Sequence, residues 1–523
     1  MNQASWIDLS ATSQPHQELQ ADVCIVGAGA AGIYLTLQLA RQGLSVVLLE
    51  AGPAICTDAE SLGFGSFFSA APYPGATVGR FFGMGGSTSR WGGLLVPHTA
   101  HDLRAGAEPD KAWVHIVDTV NEKKSHVLQQ LGYRNGPDFD EYAARFLGEA
   151  GGSLREFGID TQAALILPFG LKNLVRLLDH IPAGVAPPRV FHNAVVESWT
   201  VEVGQRGDPQ IANAHARSRN HKTLAVRASK FVIAAGAIES ARILLEINES
   251  ASQPVLTSSA AIGCNLADHL SVSIADVAPE SLGSVVQLFA PRFSGAWMRS
   301  FRFLERSPAQ NAPRAFAHFI FSNPGRAHAL AKEALGAIQA RRIPSVTLGA
   351  LGVSLGDLMQ LAYGRFVKSK LFISEGVSVH LQLDMEQVPT PDNRVSLLDH
   401  KDIYGRRAIR INWRVSDSDL LEITKTASRF LAVWPDVKAG LPGLKPRFNG
   451  SDGIKPYDVY HPVGTCRMGV DALAVVDLDL KAAGVQNLWV SSTGVLPSAG
   501  TANPTFTMLC LTHRLAENFK VMR

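Results

Sequence analysis

The sequence predicts an α/β protein in which a parallel sheet flanked by helices is joined to a second unit built on an antiparallel sheet with its own helices. Three observations carry this reading: a strand, turn, helix and strand pattern between Ala21 and Gly52, a second strand running into a small-residue turn at Ala234, and short alternating runs between Ser271 and Gly450. At 523 residues the chain exceeds one ordinary core. A prior of about 150 residues per domain gives roughly three units, and two large ones fit equally.

The first apolar run, Val23 to Val26, breaks at Gly27-Ala28-Gly29-Ala30-Ala31-Gly32, and apolar residues at helical spacing follow, Ile33, Leu37, Ala40 and Leu44. A second run, Val46 to Leu49, ends in Glu50 and closes a βαβ unit, the setting in which GxGxxG reads as a dinucleotide-binding, Rossmann-like fingerprint. Gly27 and Gly29 allow the turn and the approach of a pyrophosphate, whose charge suits the free N–H groups at the helix N-terminus. Gly32 lets helix and strand pack closely. Glu50 is placed to accept hydrogen bonds from both ribose hydroxyls of an adenosine and to repel a 2′-phosphate, which excludes NADP.

From Ser61 to His98 the chain is rich in glycine and aromatic residues and ends GRFFGMGGSTSRWGGLLVPH, backbone that passes close to something flat or bulky. His101 to Ala186 reads as mostly helical and polar. Arg189–Trp199 and Leu224–Ile233 read as strands, the latter leading into Ala234-Ala235-Gly236 and a helix, a second place for a nucleotide to lean on backbone. Ala261–His269 is a loop with polar ends. Helices are expected over Arg326–Ala340 and Leu355–Lys368, and strands over Val377–Gln387, Arg394–Leu398 and Ala408–Trp413 form an antiparallel sheet able to floor a substrate cavity. Near the C-terminus, Asn503-Pro504-Thr505 opens a last helix, with its free N–H groups suited to negative charge and Pro504 in the first turn.

The formal net charge of +3 and the isolated basic pairs argue against nucleic acid. Five scattered cysteines, without a CxxC pair or a histidine at ligand spacing, argue against zinc or a disulfide framework, so no metal is expected. The N-terminus has no cationic, then apolar, leader pattern, and the uncharged stretch Ile343–Gly356 is too short to span a bilayer. A reducing, cytoplasmic setting is expected.

Seven ordered motifs, VGAGAAG…LLEAG, GGSTSRWGG, AAGAIESAR, IGCNLADH, PDNRVSL, HPVGTCRMG and GTANPTFT, resemble the glucose-methanol-choline (GMC) oxidoreductases, flavoproteins that oxidise alcohols and sugars with FAD. Residues 100–185 and 275–370 match poorly. The resemblance implies a Rossmann-like FAD-binding domain from residues 1–100, 186–270 and 455–523, with a substrate-binding domain from 101–185 and 271–454. In it Gly27, Gly29, Gly32 and Glu50 hold the ADP half, and Val195 contacts adenine through its backbone with Ala235 and Gly236 nearby. Gly85, Gly86, Ser87 and Trp91 wrap the isoalloxazine, and Asn503, Pro504 and Thr505 face its pyrimidine end. His461 resembles the family's catalytic histidine, with Asn503 as second polar group.

Asparagine within NPT leans toward the pyranose oxidase and C-glycoside oxidase branch. That branch often tethers FAD through a histidine where this chain has Arg90, so noncovalent FAD is expected. Ser492 replaces an aspartate that contacts the ribitol in many relatives. The implied chemistry is oxidation of a hydroxyl of a sugar, glycoside or other alcohol to a carbonyl: His461, as a neutral imidazole, takes the hydroxyl proton while hydride leaves carbon for flavin N5. Oxygen or a quinone-like acceptor then reoxidises the flavin. Gln382, Asp384 and Gln387, on or at the end of one alternating strand, are candidates to bond substrate hydroxyls, and an exposed strand face accounts for them equally. The alternatives are a GMC dehydrogenase for a non-sugar alcohol, a nonredox flavoenzyme such as a hydroxynitrile lyase, and a different flavoprotein class sharing only the first nucleotide unit. For Asn503 the competing role is a helix cap.

Overall fold

The structure, a computed structural model, describes all residues except 1–3, 105–109, 135–138, 180, 205–206, 251–253, 307–311, 323–325, 345–362, 374–375, 435–439, 451–452 and 523. The expected helix Leu355–Lys368 and the apolar stretch Ile343–Gly356 lie mostly outside the described residues.

The first apolar runs form strands His16–Val26 and Val46–Leu49, with the helix Ala30–Arg41 between them. Their sheet runs in the order 5–8, 189–192, 46–49, 16–26, 223–233, 209–217, 195–203, with 488–490 beside 223–233. The pairs from 5–8 to 223–233 are parallel, as is 223–233 with 488–490. The last two strands of the main path return antiparallel. Val26 pairs with Leu49 and with Ile233, and Ile233 also with Val490, so the carboxyl ends of four strands lie level. The segments that follow them, at Gly27, Glu50, Ala234 and Ser491, open along one edge, where open α/β sheets bind ligands.

Burial explains this layer. Val23, Ile25, Val47 and Leu48 are fully or almost fully buried on the sheet, and Ile33, Leu37 and Phe519 of the covering helices share their core. Fully buried parallel strands read as continuous apolar runs, as these do.

The second sheet runs in the order 444–446, 269–277, 378–386, 315–322, 297–305, 159–166, 94–95. Its adjacent strands are antiparallel. One face, with Leu270, Val272, Phe303, Phe319, Leu381 and Leu383, packs in one core with Leu147, Ile423 and Phe430 from the helices Asp140–Glu156 and Asp417–Val433. By strand alternation and register the opposite face carries His269, Ser271, Arg302, His318, Gln382, Asp384 and Glu386.

Two expectations change. Ile159–Ile166 is a strand inside the region read as helical, paired with Trp297–Glu305 over eight positions. Its Ala163 and Ala164 carry no local β preference, and a partner distant in sequence decides its conformation. The strands Arg394–Lys401 and Arg407–Asn412 do not join the sheet of Ser378–Glu386; they form a separate three-stranded sheet with Ser66–Phe68. The helix expected over Arg326–Ala340 spans Arg326–Gln339. No helix among the described residues is long and apolar enough to cross a membrane.

Candidate active site

A cleft of about 560 Å³ follows the carboxyl ends of the parallel strands, within the range of about 300–1,000 Å³ usual for cofactor and ligand sites. Gly27 turns with φ +106°, a conformation that suits glycine, and a Cβ there would stand 2.6 Å from the Ala234 carbonyl oxygen. The following helix begins at Gly29 with no side chain capping its first turn, which leaves its N–H groups and positive dipole end toward the cleft. Gly32 does not line the cleft. A Cβ at Gly32 would lie 1.9 Å from the Gly27 carbonyl oxygen, so this position lets helix and turn meet.

Glu50 reaches the cleft wall with its carboxylate oriented by backbone: Ala28 N–H donates to Oε2 at 2.7 Å, and Gly52 and Gly83 N–H donate to Oε1 at 2.9 Å each. Burial raises its pKa, opposed by these bonds. A carboxylate has about four acceptor positions, so about one is left for a ribose hydroxyl rather than two.

His461 also lines the cleft; Asn503 is not among its lining residues, but its Nδ2 lies 3.0 Å from His461 Nε2. Asn503 occupies the N-cap position of the helix Pro504–Val521, yet its side chain makes no capping bond and its Oδ1 is buried without a partner among the described residues. Its amide is thus directed at His461 rather than into the helix. Burial, and after it the positive charge of Arg302, push the His461 pKa down to about 4. The main chain of His461 is anchored by its N–H donating to Asp268 Oδ1 at 2.9 Å, and the Tyr73 hydroxyl donates to Asp268 Oδ2. Burial raises the Asp268 carboxyl to about 7.

Asp268, His269 and His461 are the one group of three among the described residues with donor atoms close enough to share a metal ion. Those atoms already bond to one another and to neighbouring backbone, so the set is a closed hydrogen-bond network.

The expected residues divide clearly. Gly27, Gly29, Glu50, Gly86, Ser87, Trp91, Ala235, Gly236, His461, Ser492, Pro504 and Thr505 all line the cleft. Gly85 lies behind it, where an added Cβ would meet Asn173 Oδ1 at 2.1 Å. The Val195 side chain turns into a small core with Phe64, Phe82 and Tyr404, while its neighbours Ala194 and Val196 line the cleft. Gln382, Asp384 and Gln387 do not line it. Gln382 Nε2 donates to Ser271 Oγ at 2.7 Å and to the Tyr457 hydroxyl at 3.0 Å, and Asp384 accepts from Ser271. Gln387 is engaged away from the cleft, donating to the Arg414 carbonyl at 2.8 Å and accepting from Trp413 Nε1 at 2.9 Å. All three are buried, so the exposed-face account of them does not hold.

Sequence reasoning passed over a buried charge cluster on the cleft wall. Arg80 Nη1 lies 3.0 Å and Arg242 Nε 2.6 Å from Glu239, and Arg406 pairs with Asp402 at 2.8 Å. Burial alone would raise the Glu239 pKa, but Arg242, Arg406 and Arg80 bring it down to about 2. The available signal was the Glu239 and Arg242 spacing of three on one helix, inside AAGAIESAR.

Comparison with known proteins bears on the same residues. A family model described as GMC oxidoreductase matches residues 389–512, which include His461, Ser492 and Asn503, and one described as NAD(P)-binding Rossmann-like domain matches residues 25–76. The 6'''-hydroxyparomomycin C oxidase of Streptomyces lividus is 24% identical over 93% of this chain and 89% of its own length. The chain is thus similar to the GMC oxidoreductases over residues 389–512 and, at 24% identity, to one oxidase over most of its length. A pyridoxine 4-oxidase of Microbacterium luteolum is 48% identical, but the match spans only 12% of this chain and 11% of that enzyme. The choline oxidase of Arthrobacter globiformis is 39% identical over 12% of each chain.

The GMC oxidoreductases that the chain resembles are flavin-dependent, and the residues here fit such a group on structural grounds. The uncapped helix N-terminus suits a pyrophosphate, and Ser492 Oγ is buried on the cleft wall without a hydrogen-bond partner among the described residues. Arg90, at the family's tethering position, lies with its guanidinium 4.6 Å from the Phe81 ring centroid.

Proposed function

We propose that this protein is a GMC oxidoreductase that oxidises a hydroxyl of a sugar, glycoside or other alcohol to a carbonyl, with FAD held noncovalently in the cleft and His461 as the general base. The observation that carries this reading is the pair of His461 Nε2, on the cleft wall, and Asn503 Nδ2, 3.0 Å apart, with Asn503 Oδ1 unpaired among the described residues. FAD, when bound, supplies the acceptor for the hydride that leaves the substrate carbon. Gly27, Gly29 and the N–H groups of the first helix would hold its pyrophosphate, Glu50 its ribose, Ser492 its ribitol, and Trp91, Pro504 and Thr505 its ring system. In this reading residues 1–100, 186–270 and 455–523 bind FAD, while 101–185 and 271–454 face the substrate. Packing of the helix Lys111–Gln130 on Pro504–Val521 ties the two parts together.

His461 takes the hydroxyl proton at Nε2, and Asn503 orients the same hydroxyl without accepting the proton itself. The name of the Streptomyces lividus relative, an oxidase of a hydroxylated compound, supports oxygen as electron acceptor.

Only neutral His461 accepts a proton, and its pKa stands near 4, below its ordinary value. The acid limb of kcat/KM is therefore expected to fall as pH drops through about 4 and to stay flat across the usual histidine range near about 6.5. A pH profile of kcat/KM checks this.

The test of function starts with acid precipitation, which releases the yellow colour into the supernatant if FAD is noncovalent. The holoenzyme is then scanned anaerobically against sugars, glycosides and non-sugar alcohols, and air is admitted. Bleaching by a polyhydroxy substrate with rapid recovery in air is the expected result. Recovery only with a quinone makes the chain a dehydrogenase. A flavin that no compound bleaches overturns the reading in favour of nonredox chemistry of the hydroxynitrile lyase kind.

A further inference from the structure

We propose that His269 is a positioning residue that fixes which nitrogen of His461 carries the proton, holding Nε2 bare on the cleft side. His269 is fully buried at the start of the strand His269–Val277 and stands between His461 and the backbone of Gly500. Its Nε2 is 2.9 Å from the Gly500 carbonyl oxygen, and its Nδ1 is 3.1 Å from His461 Nδ1. The two rings meet edge to face with centroids 5.3 Å apart.

The proton positions follow by elimination. A carbonyl oxygen only accepts, so His269 Nε2 carries a hydrogen. A neutral imidazole carries one, so His269 Nδ1 is bare and accepts. The nitrogen facing it, His461 Nδ1, must then donate, and His461 Nε2 keeps its lone pair, toward which the Asn503 amide N–H also donates at 3.0 Å, so His269 and Asn503 favour the same tautomer from opposite sides of the ring. The opposite tautomer of His461 sets two lone pairs against each other at 3.1 Å, or, if His269 also changes, at 2.9 Å against Gly500.

The surroundings keep both rings neutral. Asp268 accepts the backbone N–H groups of both histidines, and no bond from its carboxylate to either ring is formed among the described residues. Arg302 and His98 lie near enough to disfavour a second positive charge on His269, in addition to its burial. Glu386, the register partner of His269, accepts instead from Arg104, Arg314 N–H and Ser498. The Gly500 carbonyl is itself held in place: Gly500 N–H donates to Glu386 at 3.2 Å and Thr501 N–H to Asp102 at 2.6 Å. Chain position thus passes from a fixed carbonyl through one imidazole to the other.

The inference deepens the reading of His461 as base, because only the tautomer with bare Nε2 takes a hydroxyl proton there. The tautomer itself does not depend on that reading. The experiment is a long-range ¹H–¹⁵N correlation spectrum of the holoenzyme with ¹⁵N-labelled imidazoles, assigned by the signals lost in His461→Ala and His269→Ala. The expected spectrum has His461 protonated at Nδ1 alone and His269 at Nε2 alone. In His269→Ala the His461 proton redistributes toward Nε2, and kcat falls about 10²-fold with FAD content unchanged. His269→Asn, whose Oδ1 can stand in for Nδ1 as acceptor, recovers to within about tenfold. A wild-type His461 protonated at Nε2, or a His269→Ala enzyme with unchanged tautomer and kcat, overturns the proposal; if His269→Ala fails to fold, the wild-type spectrum decides alone. Bare Nε2 on His461 together with an active His461→Ala enzyme leaves the tautomer standing and removes the base.

Discussion

His461→Ala is expected to lower the rate of anaerobic flavin bleaching by about 10³-fold while FAD stays bound, the magnitude typical of a lost general base. The expectation rests on position. His461 lines the cleft, and the backbone and side-chain groups suited to the nucleotide, around Gly27, Gly29, Glu50 and Ser492, belong to other segments. Removing the imidazole therefore leaves those contacts intact. His461→Gln, which keeps a polar group of similar reach but no proton-accepting nitrogen near neutral pH, should be nearly as slow as alanine. Single-turnover bleaching in stopped flow, with FAD content measured beside it, separates loss of chemistry from loss of cofactor. A variant that bleaches within about tenfold of wild type would remove His461 from the chemistry.

The second large effect belongs to three glycines of one turn, which geometry ranks differently. Gly32→Ala places a methyl 1.9 Å from the Gly27 carbonyl oxygen, and Gly27→Ala places one 2.6 Å from the Ala234 carbonyl oxygen on a backbone with φ +106°. Both obstacles are main chain, which cannot rotate away as a side chain does. Each substitution is expected to destabilise the protein by at least about 3 kcal/mol and to abolish FAD binding. At Gly29 the nearest atom to an added Cβ is 4.0 Å away. Gly29→Ala should therefore fold with near wild-type stability and lose only FAD affinity, because its methyl intrudes on the cleft alone. Thermal unfolding with bound FAD per chain measures both quantities. Equal behaviour of the three variants would mean that the turn is not packed in this way.

These glycines also mark what was legible in the sequence. The βαβ unit from Ala21 to Gly52 could be read directly because its strand, turn and helix are decided by residues within one short stretch. His461 and Asn503 were legible as types in motifs, and their meeting was an expectation that the fold alone could test. Other features depend on partners hundreds of residues away. The strand Ile159–Ile166 follows from Trp297–Glu305, and the Arg80 and Arg406 charges acquire meaning only around Glu239. His269 stood inside a recognised motif, yet its relation to His461 and to the Gly500 carbonyl spans 192 and 231 positions, and no periodicity reports it. Gln387 fails in the opposite sense: it follows an alternating strand correctly but turns its amide to Arg414 and Trp413, partners that strand alternation does not name.

The cleft draws its walls from residues as far apart as Val26 and Met508. Synthesis proceeds from the N-terminus, and folding units form as they emerge. A ribosome-bound chain can thus complete the first βαβ unit early, while Ser491–Thr493 and Pro504–Met508 are still unmade or in the exit tunnel. A cofactor held by this cleft as proposed is consequently captured late, by chains translated nearly to their end, and a premature stop before Ser491 is expected to give a product that added flavin does not rescue.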